Sequence, residues 1–130
     1  MEENLNQDLI QLKQVLLKLC KKGKIKLAYL FGSAARGDLH PRSDLDLAVY
    51  IEADEKQTIE IENQILVSTA RDIHLLRLDN EEESPIFVQE ALKGIPLIEP
   101  DLDSYYKVAH WALHEAESLR FRRKWYEEAE

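Results

Sequence analysis

Residues 32–49 read Gly32-Ser33-Ala34-Ala35-Arg36-Gly37-Asp38-Leu39-His40-Pro41-Arg42-Ser43-Asp44-Leu45-Asp46-Leu47-Ala48-Val49. The second half has the pattern of a strand. Asp44 and Asp46 are two apart, so on a strand both side chains leave the same face, about 6.5–7 Å apart. Leu45, Leu47 and Val49 leave the other face, where they can pack on helices. Two carboxylates side by side repel and raise each other's pKa. A hard divalent cation between them relieves the repulsion, and magnesium is the usual one where phosphates complete the shell. A solvated edge pair is the alternative that this tripeptide alone leaves open.

The first half supplies a turn. Gly32 lets the chain bend sharply after a preceding strand. Ser33 adds a hydroxyl, and the backbone N–H groups of a following helical turn are oriented to bind an anion. Ala34 and Ala35 are small enough for a ligand to approach the backbone. Alone, this is compatible with an ordinary strand-to-helix turn. Together, the halves place a phosphate cradle at the end of one strand, facing a carboxylate pair on the next.

Working outward, Leu5, Leu9, Leu12, Leu16 and Leu19 recur at helical spacing and predict a helix over residues 5–22, stopped by Gly23. Residues 25–31 read as a buried strand and 44–51 as a second. A helix is expected over 55–70, a third strand over 72–78, and a helix from Ser84-Pro85 to Gly94. Residues 96–98 suit a short edge strand, where proline is tolerated. Asp101 opens a long C-terminal helix over about residues 101–128. Tyr105, Tyr106, Ala109, Leu113 and Ala116 form its expected core stripe. The expected architecture is one α/β domain over residues 1–130, a small mixed β-sheet with helices packed on one face plus that long helix.

Composition fits this reading. Of 130 residues, 45% are hydrophobic and 32% charged, in the range of a folded globular chain. The net charge of −8 argues against direct binding to a nucleic-acid backbone, which needs clustered Lys and Arg. The basic group Arg120, Arg122, Arg123 and Lys124 reads as a solvated helix face. No apolar run approaches the roughly 20 residues that span a bilayer. Met1-Glu2-Glu3-Asn4 lacks the apolar region of a signal peptide, and the lone Cys20 excludes an internal disulfide, so a cytoplasmic location is expected.

Gly-Ser, ten residues, then Asp-x-Asp resembles the signature of the DNA polymerase β-like nucleotidyltransferases, met here by Gly32, Ser33, Asp44 and Asp46. With Arg36, Gly37, Ser43 and Leu47 the pattern resembles the minimal (MNT) subgroup. Asp72, in Arg71-Asp72-Ile73-His74-Leu75-Leu76, fits the third acid of that family, and the resemblance runs over about residues 28–99. It implies that Asp44, Asp46 and Asp72 hold two Mg2+ ions and that Asp72 takes the proton of the acceptor hydroxyl. It implies that Gly32 and Ser33 hold the phosphates of ATP. Arg36 and Ser43 are further phosphate contacts on this reading, and Arg36 fits a surface charge equally well. The reaction implied is AMP transfer with release of pyrophosphate.

The acceptor is less direct. Larger relatives that modify small molecules carry an added helical domain, whereas only about 30 residues follow the matched stretch here. MNT members are commonly paired with a HEPN RNase toxin and act as antitoxins by adenylylating one of its tyrosines. That resemblance implies a HEPN-type protein as partner. A small-molecule nucleotidyltransferase and a non-catalytic binding antitoxin are the alternatives. Phe121, Trp125 and Tyr126, among charges near the chain end, suit a protein interface or a frayed terminus. His110 and His114 have a zinc-type spacing but lack the Glu of the metalloprotease motif. His74 is expected to share a face with Asp72, as a structural residue or a substrate contact; His40 is expected to be a loop residue or a gate.

Overall fold

A computed structural model describes residues 2–37 and 44–129. In chain order the elements are α1 (Glu2–Lys21), β1 (Ile25–Phe31), α2 (Gly32–Arg36), β2 (Leu45–Ile51), α3 (Glu55–Leu66), β3 (Ile73–Arg77), α4 (Pro85–Leu92), β4 (Ile95–Pro96) and α5 (Leu102–Ala129). Each follows from local chemistry. The α1 leucines at helical spacing bury Leu12, Leu16 and Leu19. Asp54 caps α3, its carboxylate accepting from the Gln57 N–H at 2.7 Å. Pro85 opens α4 at a position where no N–H is needed, although the Ser84 side chain makes no capping bond. Gly94 follows α4 because a Cβ there would overlap the carbonyl oxygen of Leu30.

The sheet has the order β3-β2-β1-β4. β1 pairs antiparallel with β2 and with β4, while β2 and β3 run parallel, joined by α3 as the crossover. The mixed sheet and long C-terminal helix are as the sequence predicts. The helices, expected on one face, cover both. On one side Leu12, Leu16 and Leu19 of α1 and Ile61 and Ile65 of α3 meet Ala28, Leu30, Leu45, Leu47 and Val49. On the other, Val88 and Ala91 of α4 and Val108 and Ala112 of α5 meet Leu27, Tyr29, Ala48 and Leu76. The reason lies in the strands. The face that carries Asp46 turns apolar at Ala48, and β1 is apolar on both faces, so each needs cover. A bulge between Ile25 and Leu27 returns Ile25 to the α1 side.

Two smaller expectations are corrected. The buried stripe of α5 is Val108, Ala112 and Ala116, whereas Tyr106 and Leu113 are exposed. The edge strand is Ile95–Pro96, and Leu97 and Ile98, expected within it, turn into the core beside α1. No helix among the described residues is long and apolar enough to cross a membrane.

Candidate nucleotidyl-transfer site

The site forms where β1 ends and where β2 and β3 begin. β1 stops at Phe31, and Gly32 takes a left-handed φ of 69° to swing the chain into α2. Phe31 is the register partner of Asp46 on β2. The turn and the carboxylate are therefore brought together by the antiparallel ladder itself. They touch: a Cβ built on Gly32 would overlap the Asp46 carboxylate. Ser33 and Ala34 follow, half-buried, and α2 ends at Gly37, whose φ is 77°.

The parallel ladder supplies the other acids. Asp46 pairs with His74 and Leu45 with Ile73, and the Leu45 N–H donates to the Asp72 carbonyl at 2.9 Å. One step back along both strands, Asp44 and Asp72 stand as exposed neighbours at the strand mouths. Asp46 lies deeper, its side chain 27% exposed, with His74 Nδ1 3.2 Å from its Oδ1. A cleft of about 390 Å³ opens beside them, walled by Phe31, Leu75, Leu76 and Phe87, with Glu83 on its lining. Phe87, on α4, is largely exposed.

Several contacts fix the strand mouths. Arg71, next to Asp72, is tied to Asp8 of α1 through Nε at 2.9 Å. The Thr69 hydroxyl both accepts from the Arg71 N–H and donates to the Arg71 carbonyl, each at 3.0 Å. At the far end of β3, Arg77 binds Asp79 and Glu62, and Asp79 also accepts from the Ile51 N–H at 3.2 Å. Burial works against the Arg77 charge, but the hydrogen bonds and charges of Asp79 and Glu62 outweigh it, and its pKa lies above the ordinary value.

The sequence-derived candidates sort as follows. Gly32, Ser33, Asp44, Asp46 and Asp72 lie at the end of the sheet where β1 stops and β2 and β3 start. Arg36 lies on α2 with an exposed side chain. Ser43 and His40 lie outside the described residues, as do the side chains of Trp125 and Tyr126. Phe121 is 71% exposed on α5. His110 and His114 are both exposed on α5. No group of three or more His, Cys, Asp and Glu side chains stands within metal-holding reach of one another among the described residues. The contact of His74 with Asp46 and the aromatic cleft went unseen in the sequence. The parallel pairing of β2 with β3 was the signal that would have set His74 opposite Asp46.

A tight glycine turn packs on Asp46 of β2, and Asp44 and Asp72 stand just before β2 and β3, an arrangement suited to a nucleotidyl-transfer class of domain. The chain belongs to the polymerase beta nucleotidyltransferase family, which it matches over residues 7–103. No curated protein matches it in sequence. Solved structures resemble it throughout. A chain of a toxin–antitoxin complex with AMP-PNP is 23% identical with a TM-score of 0.66, over 90% of this chain and 96% of that one. A chain of the MntA–HepT toxin–antitoxin is 20% identical with a TM-score of 0.60, over 91% and 95%. A chain from a complex of tri-AMPylated Shewanella oneidensis HEPN toxin with an MNT antitoxin is 19% identical with a TM-score of 0.61, over 93% and 97%.

Proposed function

We propose that the chain is a magnesium-dependent protein adenylyltransferase of the antitoxin type, which transfers AMP from ATP to a tyrosine of a partner HEPN RNase toxin and so neutralises it. The observation that carries this reading is the packing of the Gly32 turn on Asp46, which sets a phosphate cradle against a carboxylate site. The solved toxin–antitoxin chains that share the fold, one complex holding AMP-PNP and another an AMPylated toxin, support the choice of nucleotide and acceptor.

Each residue has a role on this reading. Ser33 and the backbone of α2 bind the β- and γ-phosphates, with Arg36 and Ser43 as further contacts. Asp44, Asp46 and Asp72 offer only hard carboxylate oxygens, the donor set that suits magnesium beside phosphates. They would hold two Mg2+ ions, which supply charge neutralisation for the transferred phosphoryl group. Asp72, exposed at the mouth of β3, accepts the proton of the tyrosine hydroxyl. The hydroxyl oxygen bonds to the α-phosphorus, the bond from that phosphorus to the bridging oxygen breaks, and pyrophosphate leaves. Positioning and charge neutralisation carry the rate. The partner would dock along the end of α5, where Phe121 is exposed. A cytoplasmic location goes with this role.

The test is intact mass spectrometry of a co-expressed HEPN partner after incubation with this chain, magnesium and ATP. Gain of one or more AMP masses, lost in the Asp44→Asn/Asp46→Asn variant, is the expected result. A stable complex without any mass change would replace this reading with a binding antitoxin. Neither mass change nor complex would redirect it to small-molecule acceptors.

A further inference from the structure

Phe87 has no part in the scheme above, and the fold makes little use of its ring. On α4, Val88 and Ala91 are the residues buried against the sheet, whereas Phe87 is 63% exposed. It does not stand alone. With Phe31 and Leu76 it lines the cleft of about 390 Å³ beside Asp46. Apolar walls around a few polar groups are the usual form of a small-ligand seat.

The place of the cleft says which ring it takes. In phosphoryl transfer the breaking and forming bonds lie on opposite sides of the phosphorus, roughly in line. On the proposed reading the β- and γ-phosphates lie over the Gly32–Ser33 turn at the end of β1, and β2 with Asp46 stands between β1 and β3. The acceptor hydroxyl therefore enters from the β3 side. The cleft opens there: His74 and Leu76 belong to β3, and Glu83 and Phe87 follow it in the chain. Glu83 is on the lining, and Glu81 and Glu82 before it are exposed. That acidic rim repels a triphosphate and admits an uncharged ring.

We propose that this cleft seats the aromatic ring of the acceptor tyrosine, and that Phe87 is the residue that selects an aryl over an alkyl hydroxyl. The inference rests on the reading of the chain as an adenylyltransferase and adds the subsite for its acceptor. Tyrosine has an apolar body and a polar tip. Its ring lies against Phe87, Phe31 and Leu76, and its hydroxyl points to the end of the cleft that carries Asp46. A serine or threonine side chain has no ring to cover these walls.

The experiment follows the NMR resonances of the Leu76 methyl groups and the Phe87 ring in the full chain, without nucleotide, during titration with N-acetyl-tyrosinamide. Saturable shifts at both residues are expected. Phe87→Ala should weaken that binding, read at Leu76, by about five- to tenfold, the scale of one aromatic pair. Phe87→Trp should retain it. Ile86→Ala, exposed beside Phe87 but off the cleft lining, should leave it unchanged. N-acetyl-serinamide and adenosine should not shift these resonances. No saturable shift with the tyrosinamide, equal shifts with the serinamide, or binding unaltered by Phe87→Ala would overturn the inference. Stronger shifts with adenosine would overturn it too, and make the cleft a nucleobase seat. Tyrosinamide bound in the cleft with no AMP transfer to the HEPN partner would leave the aryl seat standing and remove the proposed activity. Transfer to a partner tyrosine without any shift at Leu76 or Phe87 would do the reverse.

Discussion

Gly32 and Asp46 are packed so closely that no methyl group fits between the turn and the carboxylate. Glycine is required there twice, once for its φ of 69° and once for the approach of the side chain from β2. Gly32→Ala must displace either the Asp46 carboxylate or the turn. A misplacement on the order of 1 Å near reacting groups costs about a hundredfold in rate. We expect AMP transfer to fall at least that far, with melting lowered only modestly. Unchanged transfer by the alanine variant would show that the contact does not set the site.

The acids make a separate prediction. Asp44→Asn and Asp46→Asn each remove a carboxylate that the proposed function assigns to the metal site. Transfer should drop by about 10²–10³, the effect of losing one electrostatic stabiliser. Thermal stability in metal-free buffer should change little, because Asp44 is exposed and His74, which contacts Asp46, is itself largely exposed. A clear fall in melting temperature on either substitution would mean that the carboxylates support the fold instead.

Arg77 ties Asp79 and Glu62 together at the end of β3 away from the site, and its side chain is only 20% exposed. Arg77→Ala removes the cation shared by two part-buried carboxylates, of which Asp79 keeps the Ile51 N–H. Urea unfolding should show a loss of about 1–3 kcal/mol. Transfer per folded molecule should be unaltered. A loss of activity at full stability would place Arg77 in the chemistry, contrary to its position.

Asp101 opens α5, and its carboxylate accepts from the Ser104 hydroxyl at 2.6 Å and from the Ser104 N–H at 3.2 Å. The hydroxyl bond, then the backbone bond, holds its pKa below the ordinary carboxylate value. A depressed folded pKa means stability present at neutral pH and lost as pH falls through the carboxylate range. The acid limb of melting temperature against pH should be shallower in Asp101→Asn. An identical limb in both proteins would assign the acid sensitivity elsewhere.

Much of this was legible beforehand, for reasons that differ by element. The leucine spacing of α1 and the run 25–31 are strong periodic signals, and β1 lies where they place it. Alternation along β2 sets Asp46 opposite Leu45 and Leu47, as could be read without coordinates, whereas Asp44 and Asp72, expected as the first residues of their strands, stand just before β2 and β3. The face count could not be read in this way. Whether helices cover one side or two depends on Ala48 and Tyr29 meeting Val88 and Ala112, contacts between residues far apart in the chain. Tyr106 and Leu113 misled because hydrophobicity alone does not choose which stripe of a helix turns inward; α4 chooses it, as Val88 and Ala91 pack on Val108 and Ala112. His74 was visible as a residue but not as a neighbour, since strand order and register come only with the assembled sheet.

The β2–β3 register has a consequence for how such a protein can change over generations. Core and chemistry occupy alternate positions of one strand: Leu45 and Leu47 inward, Asp46 outward. A shift of β2 by one residue would drive Asp46 among the leucines and put those leucines in water. No partly working intermediate lies along that route. Length changes inside β2 are therefore closed to gradual evolution, and novelty must enter through substitutions on the outward face or through the rims of the cleft.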